Sequence, residues 1–408
     1  MNNLIREVQV SDITSIVTKG TTPTTIGGQF TEDGINFIKV ESIGENGEYN
    51  YDKFEHIDHR SNQLLARSML VADDVLFSIA GAIGRSAIVS QDILPANINQ
   101  AIAILRPNKA HVMPLFLFYI TQTRNFQNQA YGKIVQAAQA NVNLTQLKKI
   151  NISLPSLIIQ ENIIDVLSKY DDLLKTNRRR IQLLEESARL LFREWFIYFK
   201  FPGHEKVKMV DGVPEGWEKE PIKKYFNTSS GGTPSRKHPE FYDGDINWVK
   251  TQELDEKYIF DTDEKVTEEA INNSSAKIFP KNTLLISIYG NGNIGRTGII
   301  AEPSASNQAC VALLPKKQHY HYIYLQQYLQ MIRDYLIGLS QGAAQTNISQ
   351  DTLRKVKILM PDELLMNKFL SIAEPLYEQI KNLQRQNKNL VQARDLLLPR
   401  LMSGAIEV

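Results

Sequence analysis

The chain has 408 residues, of which 42% are hydrophobic and 22% charged, with a formal net charge of +1 and one cysteine, Cys310. That is enough apolar material for two or three packed domains and the wrong composition for a disordered chain. No apolar run approaches the roughly 20 residues needed to span a bilayer, and one cysteine excludes an intrachain disulfide or a thiolate metal cluster. The opening residues lack the form of a signal peptide, so the cytoplasm is the expected compartment, with no membrane partner. Near-neutral charge leaves nucleic-acid binding open, because basic residues can gather on one face or come from a partner.

Residues 1–155 read as mixed strand and loop, with short strands at Ile35–Val40 and Asp74–Ile79 and a buried helix at Val112–Thr121. Pro155 closes this module. From 156 to 200 the texture changes: Leu167, Tyr170, Leu174, Asn177, Ile181, Leu184, Ala188, Leu191 and Trp195 follow a 3-4-3-4 spacing with no Pro or Gly, the seam of a coiled-coil helix. Some 35 residues at about 1.5 Å each make a rod of about 50 Å. Residues 201–216, from Phe201-Pro202-Gly203 to Pro214-Glu215-Gly216, read as a linker.

Residues 217–361 then repeat the first module. Gly20-Thr21-Thr22-Pro23 and Ile35-Asn36-Phe37-Ile38-Lys39 return as Gly231-Gly232-Thr233-Pro234 and Ile246-Asn247-Trp248-Val249-Lys250. Leu76-Phe77-Ser78-Ile79 with Gly81-Ala82-Ile83-Gly84-Arg85 returns as Leu285-Ile286-Ser287-Ile288 with Gly292-Asn293-Ile294-Gly295-Arg296, and Asn99-Gln100-Ala101 as Asn307-Gln308-Ala309. The offset drifts only from 211 to 206. In residues 362–408 a second seam, from Phe369 through Leu383, Asn387 and Leu390 to Leu401, repeats the first at an offset of 206. Pro375 is expected to kink or delay this helix, and Pro399 to do the same near its end.

A whole module separates the two helices, so antiparallel packing is the expected arrangement. Facing Asn177 with Asn387 brings every other layer into register, Ile181 with Leu383, Leu174 with Leu390, Leu184 with Ile380 and Trp195 with Phe369. A polar pair in an apolar seam sets register. Two similar modules at a fixed separation suit a ligand with two sites at a fixed separation.

The residues show no enzyme constellation: no phosphate loop, no H-E-x-x-H zinc helix, no nucleophile elbow. Gly290-Asn291-Gly292-Asn293-Ile294-Gly295 matches G-x-G-x-x-G, but its counterpart lacks the first Gly, so it reads as a loop flanking a strand. Of the histidines only His111 and His319 align, and both read as polar helix entries; His319-x-His321 has no second His in the other copy to complete a metal site.

The recurring polar residues make a poor acid–base kit but suit phosphates and base edges. The DNA-binding candidates are Thr22, Lys39, Ser78, Arg85, Asn99 and Gln139 in the first module, with Thr233, Lys250, Ser287, Arg296, Asn307 and Gln345 in the second. Each has a plainer role open to it: Gly84-Arg85 ends a turn, Asn99 caps local backbone, and the Gln-rich loops tie module to helix.

With these motifs in place, the chain resembles the specificity subunit of type I restriction-modification systems, over essentially its whole length. The carrying features are the G-T-P loop with I-N-[FW]-[IV]-K downstream, L-[FI]-S-I…G-x-I-G-R, N-Q-A, the loop–Pro–long-helix unit, and Pro214-Glu215-Gly216-Trp217 opening the second half. The resemblance implies an α+β fold: two similar mixed α/β target recognition domains, each followed by a long helix, the helices packed as an antiparallel coiled coil. It implies that each domain reads half of an asymmetric bipartite sequence in double-stranded DNA, with the helices as a ruler and as docking sites for two methyltransferase (M) subunits.

Catalysis would then belong to the partners, the M subunits with S-adenosylmethionine and the restriction (R) subunits with ATP and Mg, leaving this chain without a cofactor or metal of its own. The first copy departs from the pattern by lacking the Pro-Glu-Gly-Trp entry, and Lys237-His238-Pro239-Glu240-Phe241 has no match in it, so a non-palindromic target is expected. The alternatives are the recognition subunit of a related fused methyltransferase–nuclease system, a tandem-duplicated enzyme, and a non-catalytic two-module protein scaffold.

Overall fold

A computed structural model of the chain describes residues 5–131, 141–290, 292–340 and 347–408. The chain folds as two compact units, Met1–Leu174 with Asn389–Val408, and Lys175–Lys388. Both boundaries fall inside long helices, so each unit takes one module and a segment of each helix.

In the first unit, one sheet orders its strands as Thr14–Lys19, Ile102–Pro107, Val75–Ser78 and Ser86–Ile88, and a second as Phe30–Thr31, Glu55–Ile57, Ile35–Ile38 and Ala96–Ile98. Ile35–Ile38 runs parallel to Ala96–Ile98 and pairs Phe37 with Asn97; its other neighbour is antiparallel. Val75–Ser78 lies between two antiparallel neighbours and is buried throughout, which its continuous apolar sequence requires. The helix Pro114–Gln122 packs Phe116, Leu117 and Tyr119 into the core, with Pro114 in its first turn, where no N–H is needed.

The second unit repeats the first sheet's order and three adjacent strands of the second sheet, with a different edge strand. Phe226–Ser230, Cys310–Pro315, Leu284–Ser287 and Thr297–Ile300 form the first sheet, extended by Tyr258–Ile259. Lys265–Val266, Ile246–Val249, Ser304–Ser306 and Ile278–Phe279 form the second, again with one parallel pair, Trp248 opposite Ala305. The duplication is thus one of topology as well as of letters. The entry strands match too: Arg6–Gln9 pairs with Asn151–Leu154 as Glu218–Pro221 pairs with Lys357–Met360, although the first copy lacks Pro-Glu-Gly-Trp.

The long helices are Leu157–Phe196 and Glu363–Met402, 40 residues each. The second helix starts at Glu363 and continues through Pro375 and Pro399 as one element, so Pro375 does not delay its start. Both prolines are exposed, as are Ser371 and Asp395, whose carbonyls lose their N–H partner, so water serves those carbonyls at little cost.

In the second unit the helical segments are antiparallel. Asn177, fully buried, donates through Nδ2 to Asn387 Oδ1 at 3.0 Å and to Gln386 Oε1 at 2.9 Å. Ile181 packs with Ile380, Leu383 and Leu184, and the rings of Trp195 and Phe369 lie 6.1 Å apart.

Residues 201–216 hold more structure than a linker. Met209–Val210 pairs with Val213–Pro214 around Asp211-Gly212, whose φ angles of 50° and 79° suit a type I′ hairpin, a turn that Asp-Gly encodes. Trp217 stacks on Phe201 at 5.4 Å and meets Phe196 at 5.8 Å, which ties the segment to the foot of the helix.

The buried Asn layer has a measurable signature. Asn387→Ala removes one oxygen that Asn177 meets and is expected to cost about 1–3 kcal/mol in urea unfolding. Replacing both Asn177 and Asn387 with Leu is expected to match or exceed native stability. Equal losses in the two variants would show that this layer has no special role in the seam.

Candidate nucleic-acid interface

The Gly-Thr-Pro loop lies in close contact with the Asn-Gln-Ala turn in both modules. A Cβ on Gly20 would stand 1.9 Å from the Ile98 carbonyl oxygen, and one on Gly231 2.0 Å from that of Ser306, so only glycine permits the approach. Thr22 then donates through Oγ1 to Gln100 Oε1, and Thr233 to Gln308 Oε1. Asn99 Oδ1 accepts from the Ala101 N–H at 3.2 Å, and Asn307 Oδ1 from the Ala309 N–H at 3.1 Å, the local caps that Asn side chains favour. The loop and the turn are therefore locked together by the motif residues themselves.

The L-[FI]-S-I…G-x-I-G-R segment is a tight hairpin. Ser78 and Ser287 are fully buried and donate to the carbonyls of Ala82 at 2.6 Å and Tyr289 at 2.9 Å. The amides of Ser78 and Ser287 donate to the Arg85 and Arg296 carbonyls at 2.8 and 2.9 Å. Gly84 and Gly295 turn back with φ of 91° and 75°, which glycine accommodates without strain. The described part of the G-x-G-x-x-G lookalike, residues 290 and 292–295, lies in a turn between the strands Leu284–Ser287 and Thr297–Ile300, and among the described residues no helix starts there.

Arg85 donates from Nη1 to the Ile43 carbonyl at 3.0 Å, tying the hairpin to its neighbour, whereas Arg296 makes no side-chain hydrogen bond among the described residues. Lys39 pairs with Glu55 and lies 5.3 Å from the centre of the Phe30 ring; Lys250 stands 3.9 Å from Glu264. Gln139 and Gln345 lie outside the described residues. The matched polar residues are thus largely engaged in holding the loops. Among the described candidates, Thr233 is exposed, Thr22, Lys39, Arg85, Asn99, Lys250, Arg296 and Asn307 are partly so, and Ser78 and Ser287 face no solvent.

Beside this framework stand cations that the motif comparison passed over. Exposed Arg67 donates through Nη2 to the Lys19 carbonyl at 3.4 Å and to Thr21 Oγ1 at 3.2 Å. Its counterpart Lys277, also exposed, reaches Ser229 Oγ at 3.3 Å. A Cβ on Gly232 would lie 2.4 Å from the Ala276 amide nitrogen, so the loop passes directly beside the residue preceding Lys277. The signal was present as Ala66-Arg67 recurring in Ala276-Lys277, but two residues are too few to notice without the fold.

Other groups belong to one module only. In the second, the Arg236 guanidinium lies 3.9 Å from the Tyr242 ring centre and 5.5 Å from that of Trp248, with its edge on both Glu264 oxygens at 3.2 and 2.6 Å. This contact holds the Glu264 carboxyl below its usual range. His238 stacks on Phe241 at 4.9 Å. The first module presents exposed Phe30 and Thr24-Thr25-Ile26 instead.

Among the described residues, no group of three or more His, Cys, Asp or Glu side chains is gathered to hold a metal, and no helix is long and apolar enough to cross a membrane. Burial pushes the Cys310 thiol up, leaving it protonated and inert. His319 pairs with Glu363 at 3.2 Å. His321 caps the helix Tyr322–Met331: its Nδ1 accepts from the Ile323 N–H at 3.3 Å, so the ring proton sits on Nε2, 3.2 Å from Glu374.

Two predictions test this framework. Gly20→Ala is expected to destabilise by about 1–3 kcal/mol or more, because backbone rather than a flexible side chain must yield; calorimetry showing a change below about 0.5 kcal/mol would refute the close approach. His321 is held neutral by burial, its pKa lowered from 6.5 to about 4. The unfolded imidazole therefore binds a proton first, so this residue's contribution is complete above pH 6.5 and is lost as pH falls toward 4. His321→Asn, which keeps the cap, is expected to flatten the stability profile across that window.

Comparison with known proteins agrees with this architecture. Residues 5–186 and 214–392 each match the family described as the type I restriction modification DNA specificity domain. The type I restriction enzyme HindI specificity subunit of Haemophilus influenzae is 24% identical, covering 84% of this chain and 88% of its own. The MjaIX specificity subunit of Methanocaldococcus jannaschii is 25% identical, covering 96% and 91%. The crystal structure of a type I restriction-modification S subunit from M. genitalium superposes with a TM-score of 0.56 at 15% identity over 98% of this chain and 97% of that one, a likeness of fold. The chain belongs to the type I restriction-modification DNA specificity family, as a specificity subunit with two recognition domains.

Proposed function

We propose that this chain reads a two-part, asymmetric sequence in double-stranded DNA, one half per module, and carries no catalytic step itself. The observation behind this is the division of labour within each module. Residues shared by the two copies lock the loops, while residues that differ, Arg236 and His238 in one and Phe30 in the other, stand on those loops. Residues common to both modules cannot distinguish two different half-sites, so base readout falls to the unmatched residues. Arg67 and Lys277, matched and exposed, suit the phosphate backbone, which has the same chemistry at both half-sites.

The methyl transfer and any cleavage are assigned to partner chains: methyltransferase subunits binding S-adenosylmethionine, docked on the long helices, and restriction subunits using ATP and Mg. The working compartment is the cytoplasm.

Co-expression with the neighbouring methyltransferase, followed by mapping of N6-methyladenine, is expected to return a split, non-palindromic motif. Arg67→Ala and Lys277→Ala are each expected to reduce the salt slope of DNA binding by about 1 while leaving the motif unchanged. Arg236→Ala is expected to relax one half of the motif only. A palindromic motif, or binding insensitive to salt, would overturn the reading and favour the protein scaffold.

A further inference from the structure

In the first unit a guanidinium is buried where the module meets the two helical segments. Arg394 is 3% exposed and donates to Asp171 Oδ1 at 2.9 Å, to Asn46 Oδ1 at 3.1 Å and to Asp395 Oδ1 at 3.0 Å. Asp171 in turn accepts from the Tyr119 hydroxyl at 2.6 Å. Charge, hydrogen bonds and volume at this point are all supplied by one side chain.

The second unit has the same place without the side chain. At the helix offset of 206, Arg394 corresponds to Ala188 and Asp171 to Tyr377, and Tyr119 corresponds to Gln327 at 208. The neighbouring loops correspond as well: Gly47 and Glu256 are both left-handed, with φ of 84° and 69°. Gly47 lies against Phe118, and the Glu256 carbonyl accepts from Nε2 of Gln326, the residue that matches Phe118.

Beside Tyr377 and Gln327, the counterparts of Asp171 and Tyr119, the second unit has a cavity of about 260 Å³, lined also by Glu185, Glu256 and two cations of its own, Lys257 and Arg189, the latter paired with Glu186 at 2.6 Å. Gln327 donates to the Tyr377 hydroxyl at 2.8 Å, and Glu256 is oriented by Thr297 and by Gln330 at 2.8 Å. Glu185 is half-buried, and among the described residues no hydrogen bond or ion pair reaches its carboxylate. Burial pushes the Glu185 carboxyl up, Lys257 pulls it back, and Asp255 and Glu256 push it further. A carboxylate so placed gains most from a planar cation with several fixed donors.

We propose that this cavity is a binding site for a guanidinium group, carried either by a small cation or by an arginine side chain of a partner protein, with Glu185 as its principal acceptor. The assignment does not depend on DNA recognition. Its test is calorimetric titration of the full chain with agmatine, alongside N-butylurea as a neutral analogue. Saturable agmatine binding without butylurea binding is expected, weakened tenfold or more by Glu185→Gln in a variant whose circular dichroism is unchanged. Repeating the titration on the complex with its methyltransferase separates the sources: binding that persists indicates a small cation, and binding lost on assembly indicates a partner's arginine. No saturable binding to the free chain, or equal affinity in Glu185→Gln, would overturn the proposal.

Discussion

Each compact unit is assembled from stretches of chain some 200 residues apart, and what joins them is the antiparallel seam between two 40-residue helices. Leucine and isoleucine layers supply most of the burial, but apolar layers tolerate a slip of one heptad. The Asn177–Asn387 layer does not, because a slip would strand the buried Asn177 amide against hydrocarbon. The cores of both modules rest on these helices: Ile163 and Leu167 belong to the first core, and Phe192, Trp195 and Phe369 to the second.

The duplication also separates scaffold from specificity. Residues that survive in both copies are the ones geometry demands: a glycine pressed against a carbonyl, a threonine bonded to a glutamine, a buried serine closing a hairpin. Conspicuous as motifs, they are the least free to touch a ligand. The exposed cations Arg67, Lys277 and Arg236 sit beside them, outside the recurring motifs. A search for recurring letters therefore finds the frame that holds the loops.

The paired units give an internal control on how one architecture solves a packing problem twice. Around Arg394 the first unit balances a buried cation with Asp171 and Asp395. The second replaces that cation with Ala188 and the acceptor with Tyr377, but keeps carboxylates nearby in Glu185 and Glu256.

The sequence alone determined the repeat, the two seams and their mutual register, because these depend on periodic burial along single helices and on a few equivalent residues. It also placed the strands at Ile35 and Val75 and the helix at Pro114 to within a few residues. It misjudged Pro375, whose cost depends on whether the orphaned carbonyl faces water, and it passed over the Asp211-Gly212 hairpin inside an assumed linker. Only the tertiary structure decided which polar residues are spent on holding loops, which cations remain exposed, and that a cavity adjoins Tyr377 and Gln327 in the second unit where Arg394 packs against Asp171 in the first. Those outcomes depend on contacts between residues far apart in the chain, and no local pattern records them.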